Sequence, residues 1–205
     1  VSAEPSGFKF DSWKQIGAEF LIRGAYSVAA DSLSFEVYLY HVPKAELILG
    51  KKYKGTVSGV RKMAHTFAND VVAALTGERG MFTARLVVAS DRDGGGFKEI
   101  YLMDWDGANV DRITSHKTIA ISPAWSADNS RIAYTAFVQR AKTMTRNADM
   151  FIYELATNKR WLVSYRQGIN SGANFSPDNK SLLLTISQGG NPDIYQMSYE
   201  GELIK

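Results

Sequence analysis

The chain has 205 residues, is 45% hydrophobic and 12% aromatic, and carries a formal net charge of +3. This composition supports a packed core rather than a disordered chain, and the charge is too weak to argue for nucleic acid. There is no cysteine, which excludes disulfides and thiolate metal sites and suits an oxidising compartment such as a periplasm.

Residues 1–80 read as a mixed α/β domain. Asp11 or Ser12 is placed to cap a short helix over "WKQIGA". Strands are expected at 19–28, 33–42 and 45–55. In the second of these Phe35, Val37 and Leu39 alternate with Glu36, Tyr38 and Tyr40. The period then changes: Val60, Met63, Ala64, Phe67, Val71 and Leu75 recur at helical spacing, which predicts an amphipathic helix over 58–76. Ser58 is the expected N-cap, and Gly77 stands where a left-handed residue would end the helix. No apolar run approaches the roughly 20 residues that span a bilayer, so direct membrane insertion is not expected. No secretory signal opens at Val1, so the sequence reads as cytosolic or as already processed or trimmed.

From about residue 81 helical periodicity disappears. Short strands follow, separated by "DRDGGG", "DWDGAN", "SADN", "ATNK", "SPDN", "QGGN" and "YEGE". The segments beginning at Ile100, Met150 and Ile194 align, and between them "SPAWSADNSRIAY" is matched by "SGANFSPDNKSLL". Trp125 thereby pairs with Phe175, and Asp128-Asn129 with Asp178-Asn179. A period of roughly 40–50 residues built only of strands and turns marks β-propeller blades. Each first strand carries one large aromatic between neighbouring blades, and Asn reverses the chain because it tolerates positive φ. Residues 81–205 hold about two and a half blades by this reading, against roughly four to eight in closed propellers. The sequence is therefore expected to be a fragment, or to have its open edge covered, since a bare edge invites aggregation.

Motifs for chemistry are absent. The three histidines, His41, His65 and His116, have no metal-ligand spacing, and there is no nucleophile elbow, P-loop or dinucleotide fingerprint. An EF-hand register on Gly107 puts Leu102 and Ile113 at ligand positions, and one on Gly94 puts Ala89 and Ile100 there; none can bind calcium. The cluster Lys51, Lys52, Lys54, Arg61 and Lys62 reads as a solvated strand end and helix start. No catalytic, cofactor-binding or metal residue is assigned. One pattern does stand out. The loops on one rim of the blades carry Lys117, Arg140, Lys142, Arg146 and Arg166 against a single acid, Asp193, whereas the other rim carries Asp104, Asp106, Asp128, Asp178, Glu200 and Glu202. A polarised disc with a basic rim for an acidic partner is the expectation, balanced by the plainer reading that long loops are simply polar.

The segments "RKMAHTFANDVVAALTGERGMFTARLVV", "LMDWDGAN", "SPAWSADNSRIAY" and "FSPDNKSLL" resemble the TolB family, the periplasmic Tol-Pal proteins of Gram-negative bacteria. The linker motif, Leu75-Thr76-Gly77 followed by Gly80-x-Phe82-x-x-Arg85, is its more specific part. The resemblance implies an α/β domain joined to a six-bladed propeller. It implies a non-enzymatic periplasmic scaffold, a monomer when full-length, that binds the lipoprotein Pal through the propeller and TolA through the N-terminal region to maintain outer-membrane integrity. It directs attention to Ile169, Asn170, Ser171 and Ser122 as Pal-facing; the family tends to have His where Ile169 stands. Ala127 replaces the family's usual turn proline, and Asn its usual turn glycine. The alternatives are the propeller part of a prolyl-oligopeptidase-like hydrolase whose catalytic domain lies elsewhere, and a ligand-sensing propeller using its central channel.

Overall fold

The computed structural model describes residues 9–139 and 146–205. The chain divides into two compact units, Val1–Ala84 and Arg85–Lys205. Among the described residues no helix is long and apolar enough to cross a membrane.

The first unit is an antiparallel sheet with two helices. Helix α1 (Phe10–Gln15) begins earlier than the Asp11 or Ser12 cap predicts: its cap is extended Lys9, without a side-chain bond, and Asp11 lies in the first turn. Strands β1 (Phe20–Ala29), β2 (Ser32–His41) and β3 (Glu46–Thr56) follow, in the order β1-β2-β3. Val37 and Leu39 are buried on one face of β2, but Tyr40 on the other face is buried too. It packs with Leu21 and Val42 beneath Phe10 of α1, 5.8 Å from that ring edge-on, so this end of the sheet is covered on both sides.

Helix α2 (Val60–Thr76) follows a 3₁₀ turn, Val57–Gly59. Ser58 therefore does not cap it: its hydroxyl faces Thr56 Oγ1 at 2.9 Å, and Gly59 precedes the helix. Met63 and Phe67 bury the stripe, while Val60 and Leu75 at its ends stay exposed. Gly77 ends the helix at φ 77°, donating its N–H to Ala73 O. The linker motif has a physical reason. Gly80 lies so near Asn69 that a Cβ there would stand 2.8 Å from the Asn69 Cα. Asn69 takes the Phe82 N–H at 2.8 Å and donates to Thr83 Oγ1 at 2.9 Å, pinning the segment to the helix. Two lysines of the cluster are paired: Lys52 meets Glu36, and Lys51, with the Tyr53 hydroxyl, meets Asp70.

The second unit consists of antiparallel sheets stacked face to face. The first holds β4 (Arg85–Ser90), β5 (Glu99–Asp104) and β6 (Asp111–Arg112). The second holds β7 (Ala120–Trp125), β8 (Arg131–Gln139), β9 (Arg146–Glu154) and β10 (Lys159–Ser164), and the third β11 (Asn170–Phe175), β12 (Leu182–Ile186) and β13 (Asp193–Met197). This is an incomplete β-propeller arrangement, as the repeat implies. Ile100 and Leu102 of the first sheet pack on Ile132, Tyr134 and Ala136 of the second, with Trp125 at the margin. Met150 and Ile152 of the second pack on Leu182, Leu184 and Ile186 of the third, with Phe175 at the corresponding place. The outer face of the third sheet leaves Leu183 51% and Ile194 76% exposed.

Register repeats along with packing. In β7, Ser122 and Pro123 bulge opposite Tyr134, between the pairs Ile121–Thr135 and Ala124–Ala133. In β11, Gly172 and Ala173 bulge opposite Leu184 in the same way. Ser122 and Gly172 both have positive φ, 53° and 69°. A parallel bridge joins each sheet to the next, Lys98 to Ile119 and Ala148 to Ile169.

Candidate functional site

The loops that lead into β7 and β11, together with the β4–β5 and β12–β13 connections, the end of β8 and the start of β9, share one rim. Arg140 and Lys142 of the sequence-derived set lie outside the described residues.

At the first junction a buried carboxylate organises the loop. Glu99 is 2% exposed and sits where β5 begins. It accepts hydrogen bonds from Thr114 Oγ1 at 2.5 Å, from the Lys117 N–H at 2.6 Å and from Arg112 Nη2 at 3.2 Å. Burial pushes its carboxyl up, but these donors outweigh it and hold the group below the usual range. Lys117 is thereby fixed at φ 53°, with its side chain exposed. Beside it, half-buried His116 sets Nε2 3.0 Å from the Tyr134 hydroxyl and its ring 5.1 Å from Phe151. Burial, then the positive charge of Arg160, lower its pKa.

At the second junction an amide does this work. Asn170 is fully buried; its Oδ1 accepts from Ser164 Oγ at 2.6 Å and from the Arg166 N–H at 3.1 Å, while Nδ2 donates to Ala148 O at 2.9 Å and Arg166 O at 2.7 Å. Thr135 Oγ1 reaches Ser171 Oγ at 3.1 Å across the sheets. The Arg166 guanidinium turns inward, to Ser164 Oγ at 3.2 Å and Gly201 O at 3.5 Å. Asn170, Ser171 and Arg166 thus spend polar atoms on the fold, whereas Ile169 beside them is 47% exposed. Ser122 lies on the same strand type but deeper, at the bulge, and is exposed.

The rim holds more acid than the sequence count of one. Asp93 and Glu99 lie there as well, both matched by Arg112 at 2.9 and 3.2 Å, and Asp149 is buried within β9, opposite Ala136. Lys117 and Arg146, by contrast, face a groove of about 320 Å³ with His116, Thr118, Phe137, Val138 and Gln139, and among the described residues no acid lines it. The sequence reading missed Glu99, although Glu99, Asp149 and Asp193 each stand immediately before the aligned segments at Ile100, Met150 and Ile194, a signal available to find it. On the opposite rim, acids are used in turns. Asp128 accepts from Ser126 Oγ at 2.6 Å and the Ser130 N–H at 3.0 Å, and Asp178 repeats this with Ser176 and Lys180 at 2.6 and 3.1 Å.

Among the described residues no group of three or more His, Asp or Glu stands close enough to hold a metal ion.

Residues 72–205 match the family model described as the TolB beta propeller domain. The Tol-Pal system protein TolB of Desulfosudis oleivorans is 38% identical over 194 residues, covering 95% of this chain and 42% of that protein. The Tol-Pal system protein TolB of Geobacter metallireducens is 40% identical over 128 residues, covering 62% of this chain and 29% of that one. The chain thus spans less than half the length of these curated relatives. In a solved structure, TolB from Acinetobacter baumannii matches 100% of this chain and 51% of its own, with a TM-score of 0.86 and 26% identity.

Proposed function

The chain belongs to the TolB β-propeller family, and on that premise we propose that it is part of a non-enzymatic periplasmic scaffold. In this reading the rim near Ile169 faces a Pal-like lipoprotein, the N-terminal unit meets a TolA-like inner-membrane protein, and the complex maintains the outer membrane. The observation that carries the reading is the family match across the stacked sheets, together with curated relatives named as Tol-Pal system proteins. Exposed Ile169, held over the buried Asn170 hub, supports the placement on the rim, because a rigid backbone presenting an apolar side chain loses little entropy on binding.

The test is capture from envelope extract by the full-length protein, with mass spectrometry of what stays bound. A peptidoglycan-associated lipoprotein and a TolA-like protein are the expected captures, and Ile169→Asp should deplete the lipoprotein selectively. A full-length protein that retains neither, or that hydrolyses peptides, overturns the reading.

A further inference from the structure

The grooves on the rim meet at Lys117. One, of about 290 Å³, is bounded by Asp93, Phe97, Glu99, Tyr101 and Arg112. Its charges are satisfied internally, since Arg112 pairs with both acids and Tyr101 donates to Asp93 at 2.7 Å. The other, of about 320 Å³, is different. Lys117 and Arg146 both line it, and half-buried Phe137 and Val138 supply its apolar floor. Neither cation makes an ion pair among the described residues, whereas Arg112, Arg131 and Lys52 each do.

Lys117 also occupies a costly backbone conformation. A left-handed φ of 53° suits Gly or Asn, and a residue of another type held there requires surrounding structure that over-determines it. The structure supplies this in the buried Glu99 carboxylate, which takes the Lys117 N–H at 2.6 Å. The result is an ammonium presented to solvent from a fixed backbone.

We propose that this groove binds an acidic, partly apolar peptide segment of a protein partner, with carboxylates on Lys117 and Arg146 and an apolar side chain over Phe137 and Val138. The proposal rests on reading the chain as a partner-binding scaffold and adds the chemistry of the segment recognised. Two cations lining a groove with an apolar floor favour a segment that mixes acidic and apolar residues, and rim charges of this kind act on association rate and salt dependence.

The probe is a fluorescein-labelled peptide of alternating Glu and Leu, compared by anisotropy with its Gln-for-Glu counterpart. The Glu peptide should bind the 205-residue chain and weaken as ionic strength rises, and the Gln peptide should bind poorly. Lys117→Asn tolerates the left-handed backbone while removing the charge; combined with Arg146→Gln it should weaken binding roughly tenfold. Lys180→Gln, on the opposite rim, should change nothing. Equal binding of the two peptides by the unaltered chain needs no variant and overturns the proposal. So does a folded double variant that binds as tightly as the parent. Lipoprotein capture that survives the double variant sinks the groove and leaves the scaffold reading standing; peptide binding without lipoprotein capture does the reverse.

Discussion

Asn109, Asn129, Asn158 and Asn179 all occupy left-handed backbone at turns, with φ between 49° and 58°. This is the conformation for which asparagine is the readiest substitute for glycine. Ser122 has no such excuse, and it also precedes a proline, which restricts it further. Its counterpart Gly172 takes the same bulge, with nothing within 4 Å of a built Cβ. Ser122→Gly should therefore stabilise the second unit by about 0.5–1 kcal/mol, and Gly172→Ala should destabilise it by about 1 kcal/mol, both read by urea unfolding. Asp128 gives a pH signature. The Ser126 hydroxyl, then the Ser130 N–H, pull its carboxyl down to about 2 from an ordinary 3.8. A depressed folded pKa stabilises above the unfolded value and is lost as acid protonates the folded form. Asp128→Asn should accordingly lower stability at neutral pH, with the gap from the parent closing between about pH 4 and pH 2 in denaturant titrations.

Each sheet is held to the next by a small set of side chains at fixed repeat positions, and two predictions belong there. Trp125→Ala or Phe175→Ala removes a half-buried ring from a junction, and each should cost roughly 2–4 kcal/mol in chemical denaturation. His116 is wedged between sheets, with Phe151 and the Tyr134 hydroxyl against it and Arg160 and Glu99 acting on its charge. Its folded pKa lies below the ordinary 6.5, so the unfolded chain takes the proton first. Stability should fall as pH drops through about 6.5, and His116→Gln should flatten that slope in pH-dependent melting. These junctions also separate what was legible in the sequence from what was not. The fold class was legible because strand alternation and Asn turns are local, and because an aromatic placed once per repeat at Trp125 and Phe175 must have a partner. The bulge at Ser122 was not, since serine carries no mark of positive φ; only alignment with Gly172 reveals it. Burial of Asn170 and the inward turn of Arg166 were illegible for a different reason. Both depend on atoms of neighbouring strands, Ala148 O and Gly201 O, that no local pattern brings to them. The groove floor of Phe137 and Val138 likewise exists only once β8 is set beside the loop holding Lys117.

In the whole molecule, the outer face of the third sheet is one surface that leaves large apolar side chains open to water, Leu183 and Ile194. Leu183 and Ile194 lie on the same side, since Ile194 pairs with Thr185, two residues along from Leu183. An apolar sheet face open to water promotes association. The 205-residue chain should therefore sediment as concentration-dependent oligomers, and Leu183→Lys with Ile194→Lys should shift it towards monomer in analytical ultracentrifugation. The recurring parallel bridges, Lys98 to Ile119 and Ala148 to Ile169, have a wider meaning. Both join positions equally far apart along the chain, so the reach from one sheet into the next is constant even where the loops between strands differ. A unit that offers on one side the shape it accepts on the other can be multiplied by duplicating its coding stretch. Each new copy arrives with a neighbour already fitted to receive it, which is how an ancestral gene could lengthen in whole steps without passing through misfolded intermediates.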